Sequence, residues 1–298
     1  MGAPHDPPAA AAPAARVRHP VLLRLVVAPL VLAVVGAVAW TYVASGSPLG
    51  VDLLMALMGA AGGWEMARLL APGTGSRAEA ALAALACGLL GGIGLLAPDS
   101  AATRHLLRVG LVGAALVALM ARRWRDTSPG ALDAVARGLV PVVYVGLLFS
   151  TLREVAAGDQ GARCIVWVVL VSKASDMGGW LVGKPLGRHK LVPSISPGKS
   201  WEGLAGGLAA SVLVAAGLAG PLGVAEARWG TLHLVLFGLA VGAASVLAGI
   251  TQSAWKRRAG VKDSSPLIPE MGGVLDMLDS LLFAAPLAWA WIRLAARL

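Results

Sequence analysis

Long apolar runs, one after another, are the feature of this sequence that most restricts its fold. A helix needs about 20 mostly apolar residues to cross a bilayer. The segments that meet this requirement are residues 20–43, 50–71, 78–97, 103–121, 131–150, 161–183, 203–224, 230–252 and 275–297. No soluble domain fits between them, because the connections are short. The sequence therefore predicts an all-α polytopic membrane protein with about nine transmembrane helices.

The composition excludes several classes of protein. Only 14% of the 298 residues are charged, whereas soluble domains carry roughly 25%. The net charge of +9 would suggest nucleic acid for a soluble protein, but here it indicates membrane topology and anionic lipid or nucleotide partners. Cys87 and Cys164 both lie in apolar runs, so neither a disulfide framework nor a cysteine-based metal site is expected.

The distribution of Lys and Arg predicts the orientation in the membrane, because cytoplasmic loops are enriched in these residues. With a cytoplasmic N-terminus, 15 basic residues fall inside and seven fall outside. This N-in, C-out arrangement puts both long polar segments, 184–202 and 253–274, on the cytoplasmic side. We expect the protein in the inner cell membrane, with these two segments facing cytosolic nucleotides.

The chain divides into three parts. Residues 1–19 are rich in Pro and Ala and are predicted to form a disordered tail. Residues 20–160 form the N-terminal transmembrane helices; their first apolar run is too long for a signal-peptide core and is interpreted as a retained span. Residues 161–298 form the C-terminal transmembrane region, which contains the most informative stretch, residues 253–280.

Residues 253–280, SAWKRRAGVKDSSPLIPEMGGVLDMLDS, are polar although they lie between two apolar runs. Cations come first and carboxylates follow, a pattern that predicts phosphate binding beside a divalent metal; the residues are Lys256, Arg257, Arg258, Lys262, Asp263, Asp276 and Asp279. Asp276 and Asp279 share one helix face. Gly272 and Gly273 allow close approach of a ligand and open a helix N-terminus, which favours anions. The alternative interpretation is a basic cytoplasmic loop followed by a capped helix.

The second informative stretch is residues 184–202, KPLGRHKLVPSISPGKSWE. It offers Lys190, Ser196, Lys199 and Ser200 as basic and hydroxyl side chains. Pro197 and Gly198 favour a turn within this stretch. We interpret this stretch as a cytoplasmic loop that faces residues 253–280.

Ionisable residues also occur inside the apolar runs, where they are costly and usually functional or paired. Lys173 and Asp176 lie in the sixth run and are either part of a polar cavity or a structural pair on one helix face. The Gly178–Gly179 step just after them predicts a helix end or bend. Glu65 and Arg68 are three residues apart, so we expect them to pair on one face of the second span.

Residues 253–280 resemble the signature of the phosphatidate cytidylyltransferase (CDP-diacylglycerol synthase) family. The matching residues are Ser253, Lys256, Arg257, Lys262, Asp263, Pro269, Gly272, Gly273, Asp276 and Asp279. Upstream, Asp176, the stretch GRHKL and the stretch SPGKSWEG are similar to a second conserved segment of that family. The resemblance covers about residues 165–298.

Several positions depart from the family pattern. Met271 and Met277 stand where the family has His and Arg, and Ala248, Gly249 and Gln252 stand where it has Gly, Asp and Glu. The family Asp at the position of Gly249 is one of its expected metal ligands. The carboxylates that remain are Asp176, Asp263, Asp276 and Asp279. Mg²⁺ is commonly held by one or two carboxylates, substrate phosphates and water, so a metal site remains open to this chain.

The resemblance implies a nucleotidyltransferase that converts CTP and phosphatidate into CDP-diacylglycerol and pyrophosphate. It implies Mg²⁺ held by Asp276 and Asp279, with Asp263 as a supporting ligand and Lys262 as a further catalytic residue. The implied substrate-binding residues are Lys256, Arg257, Ser253, Lys199, Ser196, Ser200, Asp176, Gly272 and Gly273. A homodimer is implied by resemblance only.

Three alternatives stay open at this point. One is a related CTP-dependent enzyme that acts on another lipid phosphate or an isoprenoid alcohol. Another is a catalytically impaired homologue that binds lipid or nucleotide, as Gly249, Met271 and Met277 would suggest. The last is a transporter whose Lys173 and Asp176 move an anion; it would need two matching halves, and we detect no internal repeat.

Overall fold

The computed structural model describes residues 36–38, 40–71, 77–97, 100–128, 130–156, 160–224, 229–268 and 272–295. Helices dominate this part of the chain. They are α1 (Leu49–Leu70), α2 (Arg77–Gly91), α3 (Ala101–Arg123), α4 (Ala131–Val155), α5 (Gly161–Leu186), α6 (Trp201–Ala219), α7 (Thr231–Arg258) and α8 (Val274–Ala295). Residues 36–38 and 40–45 are also helical, and one turn, Ile93–Leu96, follows α2. The prediction of an all-α fold is confirmed.

The helices correspond to eight of the nine predicted spans. Seven of them, all except α2, are long and apolar enough to cross a membrane. With 15 residues, α2 is shorter than a full crossing requires. The predicted tail at 1–19 and most of the first predicted span, 20–43, lie outside the described residues. The chain is thus a polytopic membrane protein.

A change of helix type interrupts α4. Its first part is α-helical from Ala131 to Pro141, a π-helical stretch follows over Val142–Leu147, and two short turns, Leu148–Ser150 and Leu152–Val155, complete it. Proline inside a helix removes one backbone donor and clashes with the preceding turn. The wider π geometry directly after Pro141 accommodates this break.

Glycines let α5 and α6 pack closely. A Cβ atom on Gly178 would lie 2.5 Å from the Cβ of Ala210 and 2.6 Å from the carbonyl oxygen of Gly206. Small residues at such contacts allow membrane helices to approach each other. The helix end predicted at Gly178 and Gly179 is wrong, because α5 continues to Leu186; a bend at this step stays a prediction.

The loop predicted between α5 and α6 is a small β-hairpin. Strand β1 (Lys190–Val192) pairs antiparallel with β2 (Ser196–Ser200). Ser200 ends the hairpin and begins α6, since its hydroxyl accepts a hydrogen bond from Gly203 N at 3.1 Å. Arg257 ties the hairpin to the end of α7 through a bond from Nε to Ile195 O of 3.4 Å.

An aromatic core holds the C-terminal helices together. Trp167 of α5 stacks on Phe237 of α7 with ring centroids 4.4 Å apart. Its indole N–H also donates to Ala215 O of α6 at 3.1 Å. On α8, Leu278 and Leu282 are fully buried. This packing fixes α5, α7 and α8, the helices that carry most polar residues of the candidate site.

Candidate active site

Two helix faces meet where α7 ends and α8 begins. Gly249, Gln252 and Lys256 follow one another at helical spacing along α7, and Asp276 and Asp279 lie one turn apart on α8. The two helices are joined by residues 259–273, of which 269–271 lie outside the described residues. The shared face brings the basic and acidic halves of the 253–280 stretch together, as the sequence predicts.

Asp276 is the anchor of this face. Its Oδ1 accepts hydrogen bonds of 2.8 Å from Gln252 Nε2 and 2.8 Å from Lys256 Nζ. Its Oδ2 accepts bonds from the backbone N–H groups of Ser264 at 2.8 Å and Gly273 at 2.9 Å. Each oxygen therefore has at least two partners before any ligand is considered. In this arrangement Asp276 fastens the 259–273 connection onto α7.

Glu65 of α1 makes a second anchor, which the sequence analysis missed. Its carboxylate accepts hydrogen bonds from Ser265 Oγ at 2.6 Å and from the backbone N–H groups of Val274 at 3.1 Å and Leu275 at 2.9 Å. The expected pairing with Arg68 is wrong: Glu65 is buried, whereas Arg68 is exposed and forms no ion pair with any described residue. The available signal was a carboxylate inside an apolar run.

Ser264 connects the two anchors. Its hydroxyl oxygen lies 2.8 Å from Glu65 Oε2 and 2.9 Å from Asp276 Oδ2. A serine has one hydroxyl proton, so it donates to one of these carboxylates at a time. The start of α8 is thus held from both sides, by α1 and by α7.

The N-terminus of α8, which was predicted to favour anions, binds the protein's own carboxylates, those of Asp276 and Glu65. Gly272 has a φ of +89°, a backbone region that favours glycine, and a Cβ there would lie 2.5 Å from Asp276 Oδ2. A Cβ on Gly273 would overlap Glu65 and Ser264. The two glycines make room for the anchors, and their role in substrate binding stays a prediction.

Deeper along the same face lies a group of charges that is less completely paired. We call it the lysine–aspartate cluster, and its members are Lys173, Asp176, Lys199 and Asp279. Lys173 Nζ lies 3.7 Å from Asp176 Oδ2 and 3.7 Å from Asp279 Oδ1. It donates to Met277 O at 2.9 Å and to Ser280 Oγ at 2.8 Å. These bonds fix the ammonium group between two carboxylates without closing a short ion pair.

Lys199 enters the cluster from strand β2. Its Nζ donates to Val246 O at 3.2 Å. A Cβ on Gly249 would lie 2.7 Å from this Nζ and 3.8 Å from Asp279 Oδ2. The ammonium group therefore lies where a side chain at position 249 would project. Burial lowers the pKa of Lys199, while the charges of Asp176 and Asp279 oppose that shift.

The carboxylates of the cluster are more exposed to solvent than the carboxylate of Asp276. The side chains of Asp176 and Asp279 are 38% and 26% exposed, against 10% for Asp276. A lysine ammonium has three donors, and Lys199 uses one of them on the described residues. The cluster therefore retains acceptor and donor capacity for a cation and for phosphate oxygens.

The donor set of the cluster suits one kind of metal. No group of three or more His, Cys, Asp or Glu side chains that could hold a metal ion occurs among the described residues. Such a group is what zinc or calcium sites usually supply. Mg²⁺ often takes one or two carboxylates and completes its shell with phosphates and water. Asp176 and Asp279, which face the same ammonium group, fit that requirement.

Other predicted residues have different surroundings. Lys262 and Asp263 are exposed on the 259–273 connection. Ser253 donates to Gly249 O at 2.7 Å, Ser200 caps α6, and Ser196 pairs with Val192 in the hairpin. Among the described residues, none of these five forms a hydrogen bond or ion pair with the cluster. The metal-binding role of Asp263 and Asp276, and the substrate-binding roles of the serines, stay predictions.

Fold and site together define a polytopic membrane protein with a charged cluster, suited to phosphates and a divalent cation, set among its C-terminal helices. A sequence model of the cytidylyltransferase family matches residues 23–295. The chain belongs to this family.

Several curated relatives are similar to the chain. The phosphatidate cytidylyltransferase of Haemophilus influenzae is 35% identical over 167 residues, which are 49% of this chain and 56% of that protein. The phosphatidate cytidylyltransferase of Mycobacterium bovis is 36% identical over 173 residues, 56% of this chain and 54% of that protein. The uncharacterized protein YnbB of Escherichia coli is 40% identical over 133 residues, 45% of this chain and 43% of that protein. The chain spans about half the length of these relatives.

Proposed function

We propose that the protein is a phosphatidate cytidylyltransferase of phospholipid biosynthesis. The observation that carries the proposal is the lysine–aspartate cluster, in which two carboxylates and two ammonium groups converge from α5, β2 and α8. Family membership and the names of the similar relatives from Haemophilus influenzae and Mycobacterium bovis support the same activity. CTP and phosphatidate are the substrates that this proposal assigns.

In the proposed reaction, an oxygen of the phosphatidate phosphate attacks the α-phosphorus of CTP. The bond from that phosphorus to the bridging oxygen of the β-phosphate breaks, and pyrophosphate leaves with the electron pair. Such chemistry requires positioning and charge neutralisation rather than a covalent enzyme intermediate. The lipid phosphate is already an anionic nucleophile, so the cluster needs no separate general base.

Each member of the cluster has a proposed role. Lys199 binds phosphate oxygens of CTP, because its ammonium group uses one of its three donors on the described residues and lies near Asp176 and Asp279. Lys173 is held by Met277 O and Ser280 Oγ, so it positions Asp176 and Asp279 and keeps their mutual repulsion low. Asp276 and Glu65 position the start of α8, which carries Asp279.

Asp279 and Asp176 are the proposed holders of Mg²⁺. Asp276 was predicted as a ligand as well, but its oxygens already have partners, so we assign it the positioning role first. When bound, Mg²⁺ would polarise the nucleotide phosphates and neutralise charge on the leaving group. The carboxylates themselves repel the nucleotide, and the two lysines reduce that repulsion at the positions where phosphates enter.

A catalytically impaired homologue is the second candidate, and one observation favours it. Position 249 is a glycine and adds no third carboxylate to the cluster, and the Lys199 ammonium group takes the space beside it. Such a protein would bind CTP or lipid without turnover. A related enzyme that acts on another lipid phosphate is the third candidate.

The test is an assay of purified full-length protein with CTP, dioleoyl phosphatidate and Mg²⁺, in which CDP-diacylglycerol and pyrophosphate are both quantified. The proposal expects stoichiometric formation of the two products and loss of both in EDTA. CTP binding without either product would support the impaired homologue. Turnover with a different lipid phosphate only would support the third candidate.

The variant Gly249→Asp tests whether the missing carboxylate at this position limits activity. Gly249→Asp would place a carboxylate against Lys199 and close to Asp279, and the lysine can move because it is the far end of a flexible side chain. Inactive wild type with an active Gly249→Asp variant would identify a degenerate site. Active wild type that loses activity on the substitution supports a site built around Lys199, whereas unchanged activity would mean that the position of Lys199 does not matter. The homodimer stays a prediction.

A further inference from the structure

A cavity of about 730 Å³ lies beside the 259–273 connection, between the ends of α1 and α3 and the starts of α2 and α4. Its lining includes Arg68, Arg77, Arg123 and Arg137. We call it the arginine cavity. Of its described lining residues, none belongs to α5, α6 or the hairpin, which supply Lys173, Asp176 and Lys199 to the cluster.

The charges of the arginine cavity are unbalanced. Four arginines and two carboxylates, Glu79 and Asp126, line it and leave a formal charge of +2. Both carboxylates pair with the same guanidinium, that of Arg123, at 2.8 Å and 3.2 Å. Arg68, Arg77 and Arg137 form no ion pair or hydrogen bond with any described residue. Three guanidinium groups that have no partner among the described residues therefore line one concave space.

Guanidinium groups bind phosphate with two parallel hydrogen bonds, and clusters of them recur where phosphate is recognised. A phosphate monoester carries close to two negative charges at neutral pH, which matches the formal charge of the cavity. A zwitterionic diester headgroup would leave the lining charge uncompensated. The charge balance thus favours a phosphate monoester.

A second cavity, of about 760 Å³, adjoins the arginine cavity and shares Leu69, Ala71 and Arg137 with it. Apart from Asp133, Arg137 and Arg258, its described walls are apolar or small. Trp255 forms part of them, and its buried indole N–H has no acceptor among the described residues. A diacyl lipid suits both features of this cavity. Its acyl chains can pack against the apolar walls, and its ester carbonyl oxygens can accept a hydrogen bond from the Trp255 indole N–H.

We propose that the arginine cavity and its neighbour form an accessory binding site for a lipid phosphate monoester. Arg68, Arg77 and Arg137 hold the phosphate, and the apolar walls with Trp255 take the glycerol esters and the first part of the chains. This site goes beyond the proposed function, because it requires neither CTP nor turnover. Ser264 lines the cavity and also donates to Asp276, so the accessory site adjoins the segment that anchors α8.

The test measures binding of dioctanoyl phosphatidate to purified full-length protein in detergent by native mass spectrometry. EDTA is present, so that a magnesium-dependent site is silent. The probes for comparison are dioctanoyl phosphatidylcholine, which has the chains without the monoester, and glycerol 3-phosphate, which has the monoester without the chains. The proposal expects one equivalent of phosphatidate to bind more tightly than either of them.

The variant Arg68→Gln/Arg77→Gln/Arg137→Gln should weaken phosphatidate binding about tenfold or more, because three charge-assisted contacts are lost. The matched control, Arg122→Gln/Arg125→Gln/Arg188→Gln, removes the same charge from exposed positions that do not line the cavity. It should change binding by no more than about twofold. All six side chains are exposed, and a melting curve checks that each variant folds.

Two further arms distinguish the contributions of the parts. Replacing the same three arginines with lysine keeps the charge and removes the paired geometry, so intermediate affinity is expected. Trp255→Phe should weaken phosphatidate and leave glycerol 3-phosphate unchanged. The proposal is overturned when the control triple weakens binding as much as the cavity triple, which would mean general surface charge. It is also overturned when glycerol 3-phosphate binds as tightly as the lipid, which would mean a free-phosphate site.

Discussion

Two groups of charged residues inside this bundle differ in how completely they are paired. The first, the buried ion network, joins α1, α3 and the end of α4; its members are Asp52, Arg104, Arg108, Arg153 and Glu154. Arg104 and Arg108 bind Glu154 at 2.6 Å and 2.8 Å, and Arg153 binds Asp52 at 2.8 Å. All five residues are at most 5% exposed. The second group is the lysine–aspartate cluster, whose ammonium–carboxylate distances are 3.7 Å.

The difference indicates what each group is for. Charges buried away from water are tolerated only with close partners, and the network satisfies that condition within the protein. Arg108 even adds bonds to Ser150 Oγ and Ser150 O, at 3.0 Å and 3.1 Å. In the lysine–aspartate cluster, by contrast, Lys173 lies 3.7 Å from each carboxylate, and the side chains are partly exposed. A closed network stabilises a fold, whereas an open one keeps capacity for a ligand.

The largest effect should come from Glu154→Ala. The change leaves Arg104 and Arg108 buried without their shared carboxylate, and breaking such a pair costs about 3–5 kcal/mol. Unfolding by sodium dodecyl sulfate in mixed micelles measures it. The matched control is Glu79→Ala, which removes a partly exposed partner of Arg123 and should cost about 1 kcal/mol or less. Equal losses for both variants would remove the contrast between buried and exposed pairs.

Asp279→Asn should act in the opposite way, on activity rather than stability. It keeps the size of the side chain and removes the charge that is proposed to hold Mg²⁺, so kcat/KM should fall by about 10²–10³-fold, the range for losing one preorganised electrostatic group. The unfolding midpoint should stay within the error of the wild type. Arg122→Gln, which removes a charge at an exposed position of α3 that lines neither cavity, is the control. A variant that loses stability but not activity would make the cluster structural.

Lys199→Gln should raise the KM for CTP about tenfold with a smaller change in kcat, because a charge-assisted hydrogen bond to phosphate is lost. Lys190→Gln removes an exposed lysine from the other strand of the same hairpin and should leave KM unchanged. Steady-state kinetics at varied CTP concentration checks both variants. A fall in kcat alone would place Lys199 in the reacting centre instead of at the bound phosphates.

The smallest effect is expected for Ser200→Ala. Ser200 was predicted to bind substrate, but its hydroxyl accepts from Gly203 N as a helix cap. Loss of such a cap costs about 1 kcal/mol, and replacement by glycine costs only a few tenths. Unfolding of Ser200→Ala and Ser200→Gly measures the difference, and KM for CTP should not change. A raised KM without loss of stability would restore the predicted role in substrate binding.

Much of the candidate site was predictable from residue types and spacing. Asp276 and Asp279 do share a helix face, because residues three apart on one helix lie on the same side. The contact of Lys256 with Asp276 joins two helices, so spacing alone did not determine it. The role of Glu65 was not predictable. Its partners Val274 and Leu275 are more than 200 residues away in sequence, and local spacing offered Arg68 as the nearer partner. Gly178 was misread for a similar reason, since only the neighbouring helix shows that its missing Cβ serves packing.

The sequence by itself determined the class of the protein, because bilayer thickness dictates the length of apolar runs and the cost of exposed backbone dictates helices. It also determined where the charged chemistry lies, since ionisable residues in apolar runs are rare. Only the tertiary structure decided which carboxylates are already engaged and which stay open. Asp276 and Asp279 look equivalent in sequence. In the structure, Asp276 accepts hydrogen bonds from α7 and from the 259–273 connection, whereas Asp279 faces Lys173. That distinction depends on contacts between distant segments, which packing sets and no local pattern encodes.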